Sequence, residues 1–296
     1  MNRWVLGARP RTLPAAIVPV LVGTATAAGM DGVHTGLRGV IVWRMVAAMV
    51  VALALQVGVN YANDHSDGVR GTDADRVGPV RLVGSGLASA AAVKRAAFCA
   101  FGVAAVAGLA LAAVTTWWLL AVGVVAIAAA WFYTGGPRPY GYAGLGEIFV
   151  FVFFGVVATA GSGFVQLERF TPLVVLSSIP VGLLATALLV INNLRDIPGD
   201  AQVGKRTLAV RLGDMRTRVL YVAMLLVAFL VVPPLAGLSG RPFAALALVA
   251  VLFAQRPVTT VLSGAKGPAL IPVLGATARV EIVFGVLFAI GAFIGA

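Results

Sequence analysis

The chain has 296 residues, of which 60% are apolar and only 11% charged, and its mean hydropathy is +0.99. Soluble domains carry about 25% charged residues, so these values exclude an ordinary soluble fold. The lack of short alternating segments excludes a transmembrane β-barrel. The net charge of +11 is not read as a nucleic-acid footprint, because basic residues of membrane proteins gather in cytoplasmic loops.

Met1 to Arg11 is a basic stretch whose Trp4 suits a membrane interface. The first expected span, residues 13–30, contains Pro14 and Pro19. It is long enough to cross and no A-x-A-like site follows it, so no cleavable leader is expected. A loop with Asp31, His34 and Arg38 leads to span two, residues 41–60, where Arg44 is expected to snorkel. Residues 60–81, NYANDHSDGVRGTDADRVGPVR, then hold Asp64, Asp67, Asp73 and Asp75, four of the eleven acidic residues in the chain.

Residues 96–133 carry no charge. At ~1.5 Å per residue such a run is too long for one crossing of a ~30 Å core and suits two. The break is expected at Thr115-Thr116, with Trp117 and Trp118 at one interface and Trp131 and Tyr133 at the other. The lone cysteine, Cys99, lies in this run and is expected to be a small core residue; it excludes an intrachain disulfide and any multi-cysteine metal site. A Gly/Pro/Tyr-rich loop at 134–146 precedes span five (147–165), span six (173–193), a second polar loop (194–218), span seven (219–238) and a short span eight (243–255). Residues 257–278 read as loop or re-entrant piece, and span nine runs from 280 to the C-terminus. Glu147 and Glu281 fall at span entrances, where interfacial anchoring is expected.

The expected fold is therefore all-α and polytopic, with nine transmembrane helices, eight being the alternative count, in a single domain of residues 1–296, whose halves at about 1–133 and 134–296 look like a pseudo-repeat. With the N-terminus cytoplasmic, the inner segments hold 18 Lys and Arg and the outer ones 4. That asymmetry satisfies the positive-inside rule, sets the C-terminus outside, and puts both polar loops on the cytoplasmic side.

The two loops echo each other. Asn60 precedes Asp64 by four residues, as Asn192 precedes Asp196; Asp67 then follows by three and Asp200 by four. Val77-Gly78 leads to Val80-Arg81-Leu82, and Val203-Gly204 to Val210-Arg211-Leu212. Residues three or four apart share a helix face, so each set can point one way, although Pro198 and Gly199 are expected to break or end the second helix. The bland reading is solvated acids paired with nearby Arg and Lys, as expected for Asp75 and Asp214. Matched recurrence behind an Asn, facing one compartment, favours a hard divalent cation. Mg²⁺ takes one or two carboxylates plus substrate phosphates. Arg70, Arg76 and Arg81 in one loop, with Arg195, Lys205 and Arg206 in the other, would meet phosphate oxygens. In a membrane this implies a lipid diphosphate. His65, flanked by acids, is expected to be a supporting or solvated residue, since a lone His is poor evidence for zinc.

On these residues the chain resembles the UbiA superfamily of intramembrane prenyltransferases. Within it the chain looks most like the 1,4-dihydroxy-2-naphthoate polyprenyltransferase (MenA) type, through ARPRTLPAAIVPVLVGT from Ala8, NDHSDGVRGTDADRVGPVR from Asn63 and YTGGPRPYGYAGLGEIFVFVFFG from Tyr133. The resemblance implies helices around a central cavity capped by the polar loops. It implies Mg²⁺ held by Asp64, Asp67, Asp73, Asp196 and Asp200, and catalytic roles for Tyr133 and Arg138. Substrate contacts would come from Arg9, Asn60, Arg70, Asn192 and Lys205. The implied partners are a polyprenyl diphosphate, 1,4-dihydroxy-2-naphthoate and the bilayer. Two positions depart from the family pattern: Gly71 stands where a third Asp is usual, and Arg138 replaces a Lys one residue later. Other acceptors (4-hydroxybenzoate, haem, a chlorophyllide, a glycerol phosphate lipid) are the alternatives. A secondary transporter is the competing class and would carry ionisable groups near the bilayer midplane.

Overall fold

The computed structural model describes residues 2–30, 37–71 and 80–296; Asp31, His34, Asp73, Asp75 and Arg76 lie outside them. All regular structure among the described residues is helical. A short helix, α1 (Arg3–Ala8), leads into α2 (Pro14–Ala27) through a bend of 52°. The long helices that follow are α3 (Val42–Arg70), α4 (Ala90–Val114), α5 (Trp118–Phe132), α6 (Gly146–Leu167), α7 (Pro172–Gln202), α8 (Asp214–Leu238), α9 (Pro242–Leu262) and α10 (Gly267–Ile294).

By length and composition seven of these can cross a membrane, and eight if α1 and α2 are one bent span. The remaining expected span, α5, has 15 residues and a length of about 22 Å, short of a ~30 Å core. The count of nine is therefore not reproduced, although each expected span has a helical counterpart. The break at Thr115-Thr116 stands where expected, and Trp117 and Trp118 are exposed at it. Trp131 is half-buried, 6.1 Å from the His65 ring and 5.0 Å from that of exposed Phe98.

Other expectations change. Residues 257–278 are mostly helical: Pro257 is inside α9, a turn covers 263–266, and ALIPVLGATA lies in the first part of α10. Helix α7 continues through Pro198 to Gln202. A proline so near a helix end removes one ladder bond where few remain to lose. Cys99 is exposed on the outer face of α4, and the small residue toward the interior is Ala97. Arg44 does not snorkel alone; it pairs with Glu168 at 2.9 Å and donates to the Val165 carbonyl at 2.8 Å. Glu281 is not an interfacial anchor: it is fully buried within α10, and neither carboxyl oxygen has a hydrogen-bond partner among the described residues.

The main core joins α2, α7, α8, α9 and α10 through Val18, Val22, Leu184, Ile191, Tyr221, Phe284 and Phe288. Close approach relies on missing side chains. A Cβ on Gly155 would come within 2.6 Å of the Gly182 Cα, so α6 and α7 touch backbone to backbone there, as small residues allow between membrane helices. Helix ends are tied by arginines. Arg38 donates to the carbonyls of Phe293 (2.6 Å), Ile294 and Ala296. Arg241 donates to Ala292 (2.8 Å), Ala25 and Ala28. Cations there satisfy orphan carbonyls and oppose the negative helix ends.

Between α3, α4, α5, α6 and α7 lies a cavity of about 940 Å³. Most of its wall is aliphatic, and residues 151–160 of α6 form wide π-helical turns whose Phe153, Phe154 and Val157 face it. Such turns recur at functional sites. The polar end of the cavity is where the two acidic stretches meet.

Candidate active site

Two helices overrun the apolar spans and carry the acids with them. Helix α3 continues ten residues past Asn60 to Arg70, and α7 continues nine past Asn193 to Gln202. Asp67, Asp196 and Asp200 line the cavity, together with Asn63, Asn192, Asn193, Arg81, Arg195 and Lys205.

Asp64 is not among the cavity-lining residues. It is fully buried, and its oxygens accept the backbone N–H groups of Leu82 (2.7 Å) and Val83 (3.0 Å). This carboxylate folds the segment after the first polar loop back onto α3. Asp67, one turn on, faces the cavity and the cations: Lys205 Nζ and Arg81 Nη2 each lie at 3.2 Å, and the Tyr142 hydroxyl donates at 2.5 Å. The cavity-lining pair that matches Asn192 and Asp196 in spacing is Asn63 and Asp67, again four apart.

Arg195 anchors the second motif. Its Nε and Nη2 hold both oxygens of Asp196 at 2.7 Å, and Nη2 also donates to Asn192 Oδ1 at 2.7 Å. Its Nη1 is buried without a hydrogen-bond partner among the described residues. A buried guanidinium with an unused N–H beside a cavity is suited to an arriving anion. Lys205 is buried, with its ammonium 4.5 Å from the centre of the Tyr142 ring. The loop bearing it is pinned to the aromatic loop through Arg206 N–H to Tyr142 O at 2.9 Å.

Arg9 lines the cavity from the N-terminal segment. Its φ of 52° is left-handed, a conformation that strains a non-glycine residue. Thr12 holds the turn by donating to the Arg9 carbonyl at 3.0 Å. Asn60 supports the same segment, donating to Ala8 O at 2.9 Å and Thr12 Oγ1 at 3.0 Å. Tyr133 also lines the cavity. Burial, and then the nearby Glu147 carboxyl, raise its ionisation well above the ordinary phenol range, so it is a neutral hydrogen-bond donor there. Burial raises Tyr140 in the same direction.

Besides Asp64, two expected site residues are not brought to the cavity. Arg138 is exposed on the aromatic loop. Arg70 is exposed and clamps that loop by donating to the carbonyls of Thr134 and Gly136. Asp73 lies outside the described residues. Conversely, Asn63, Asn193, Thr134, Tyr142 and Arg195 belong to the site more fully than their sequence context suggested. Asn63 directly precedes Asp64, and the spacing rule used Asn60 instead. His65 Nδ1 lies 3.0 Å from the Ala90 carbonyl, to which it can only donate, and plays a packing part. Glu147 is buried and receives a hydrogen bond from Asn193 at 2.9 Å, so it is not an interfacial anchor.

Among the described residues no three or more His, Cys, Asp or Glu side chains form a metal cage by themselves. Carboxylates divided between two facing helices, with cations beside them, fit Mg²⁺ bound jointly with substrate phosphates, because that ion keeps few protein ligands.

Comparison with known proteins agrees with this architecture. The UbiA prenyltransferase family model matches residues 16–266. The chain is 50% identical over 287 residues to the 1,4-dihydroxy-2-naphthoate octaprenyltransferase of Mycobacterium tuberculosis, covering 97% of this chain and 95% of that protein. It is 38% identical to the protein of that name from Escherichia coli, covering 98% and 95%. The fold is similar to the apo structure of a UbiA homolog from Aeropyrum pernix K1, with TM-score 0.71 and 15% identity over 98% of this chain and 99% of that one. It is also similar to a UbiA homolog from Archaeoglobus fulgidus bound to GPP and Mg²⁺, with TM-score 0.66 and 13% identity over 97% and 99%. The all-helical bundle, the cavity with its two acid-bearing helices and these similarities place the chain in the UbiA prenyltransferase family, as a multi-pass membrane prenyltransferase.

Proposed function

We propose that the protein transfers a polyprenyl group from its diphosphate to 1,4-dihydroxy-2-naphthoate, releasing carbon dioxide and diphosphate and giving demethylmenaquinol, a step of menaquinone biosynthesis. The observation that carries the reading is the junction of the two polar loops at Asp67 and Lys205 over the mouth of an apolar cavity. The naphthoate acceptor follows from the relatives that share up to half of the sequence.

In this mechanism the diphosphate sits at the polar end, with its oxygens on Arg195, Lys205 and Arg9 and on the amide N–H groups of Asn63 and Asn192. Asp67 on one side, with Asp196 and Asp200 on the other, would hold Mg²⁺. When bound, the ion offsets the charge that grows on the leaving diphosphate. The allylic C–O bond breaks and its electron pair leaves with diphosphate. Aliphatic walls keep water from the allylic cation, and Tyr133 stays a neutral phenol beside it. The ring carbon bearing the carboxylate forms the new C–C bond. Carbon dioxide then leaves, and the pair it releases restores the aromatic ring, so no separate base is needed. Asp64 acts upstream of the chemistry, by shaping the first loop. The excess of basic residues on the polar-loop side supports a cytoplasmic N-terminus and an extracytoplasmic C-terminus.

The test is product analysis by mass spectrometry, using purified protein, Mg²⁺, a polyprenyl diphosphate and a mixture of aromatic acceptors. Prenylated, decarboxylated naphthoate is expected. Selective prenylation of 4-hydroxybenzoate, with the naphthoate untouched, would refute the acceptor assignment.

A further inference from the structure

We propose that Asn193, held in place by Glu147, positions the aromatic acceptor by accepting a hydrogen bond from one of its ring hydroxyls. The inference rests on the prenyl-transfer reading and identifies the pair that serves the acceptor rather than the diphosphate.

Four asparagines line the cavity: Asn60, Asn63, Asn192 and Asn193. A carboxamide has one accepting and one donating end, so the bond it already makes decides what it offers. Asn63 Oδ1 accepts from the Thr134 hydroxyl at 2.7 Å, and Asn192 Oδ1 accepts from Arg195 at 2.7 Å. Both therefore present N–H groups to the cavity, as a diphosphate requires. Asn193 is reversed. Its Nδ2 donates to Glu147 Oε1 at 2.9 Å, which leaves Oδ1 for the cavity. Rotating the amide would set Oδ1 against the carboxylate. An outward carbonyl oxygen repels phosphate and attracts a hydroxyl.

Position agrees with polarity. Asn193 precedes Asp196 by three residues on α7, which puts it about 4.5 Å farther from the loop along the helix axis. That is the direction from the diphosphate toward the apolar cavity, where the reacting allylic carbon and its acceptor must lie. Glu147 is a positioning residue, because it is buried behind Asn193 and does not line the cavity. Its Oε2 is buried without a hydrogen-bond partner among the described residues. Burying a half-used carboxyl is costly, and its one visible return is the fixed amide.

The test is steady-state kinetics on the full-length enzyme with 1,4-dihydroxy-2-naphthoate and with its 1-hydroxy and 4-hydroxy relatives; an analogue that is not turned over is measured as an inhibitor. N193A is expected to raise KM for the dihydroxy acceptor about 10-fold, the scale of one lost hydrogen bond, and to change KM for the prenyl diphosphate less than about twofold. For the analogue lacking the bonded hydroxyl, wild type and variant should match. N193S, which can still accept, should recover part of the loss, and E147Q should give a smaller effect of the same pattern. An equal effect on all three acceptors, a selective rise in KM for the diphosphate, or no effect would overturn the inference. Failure of the wild type to prenylate any hydroxynaphthoate would instead remove the functional reading beneath it.

Discussion

Lys205 Nζ lies 3.2 Å from Asp67 Oδ1, joining the end of α3 to the loop after α7 across 138 residues of the chain. Both side chains are buried, so the contact fixes the two polar loops as one site. A pair of this kind is sensitive to removal of one partner, because the other charge is then left buried and alone. K205M is expected to lose activity at least about 100-fold, and K205R to retain part of it. The double variant K205M/D67N should be no less stable than K205M alone, as a double-mutant cycle on melting temperature would register.

Asp64 and Asp67 should differ in kind. D64N removes one acceptor from the pair of backbone N–H bonds and should lower stability by about 1–3 kcal/mol, seen as a lower melting temperature in detergent. D67N removes the charge that Lys205 and Arg81 face, so it should also lower the melting temperature, but it should abolish turnover where folded D64N retains it.

R138A should retain at least half of wild-type activity, because its guanidinium is exposed and off the cavity. R195A should lose activity at least about 100-fold. R195K should recover little, since one ammonium cannot replace a bidentate fork on Asp196.

Tyr133 gives a pH signature. Its ionisation is raised by burial, so the folded state holds the phenolic proton more tightly than the unfolded state does. The stability this implies is present below the ordinary phenol value of about 10 and is lost only as pH rises above it. Turnover should therefore show no Tyr133 ionisation between pH 6 and 9. A phenolate absorbance that appears in this range in wild type and vanishes in Y133F would contradict that assignment.

Glu281 offers a stability test independent of activity. Both its oxygens are buried without partners among the described residues, and such a group costs about 1–3 kcal/mol. E281L, of similar volume, is expected to raise the melting temperature without changing KM for either substrate.

The apolar runs made the helices legible, since few alternatives exist for uncharged backbone in a bilayer. Loop residues were harder. Asp64 and Asp67 share nearly one face of α3, and spacing alone does not say which turns to the cavity. That choice is made by Leu82 and Val83, whose amides fold back onto Asp64. The resemblance suggested Arg138 for the site, but its loop carries it to the surface and offers Tyr142 to Asp67 instead. Asn193 went unnoticed beside Asn192 because its value depends on Glu147, 46 residues earlier in the chain. Pro198 and Gly199 carried a valid local signal for a helix end, but α7 holds to Gln202 before giving way to the Lys205 loop.

The joint site of Asp67, Asp196 and Asp200 is tested most directly by calorimetric titration of a non-cleavable prenyl thiodiphosphate, with and without Mg²⁺, into wild type, D64N, D67N and D196N. Wild type should bind only weakly without Mg²⁺. D67N and D196N should each lose about 100-fold or more of the Mg²⁺-dependent affinity, while folded D64N stays within about fivefold of wild type. Wild-type affinity in D67N, together with lost affinity in D64N, would contradict the account.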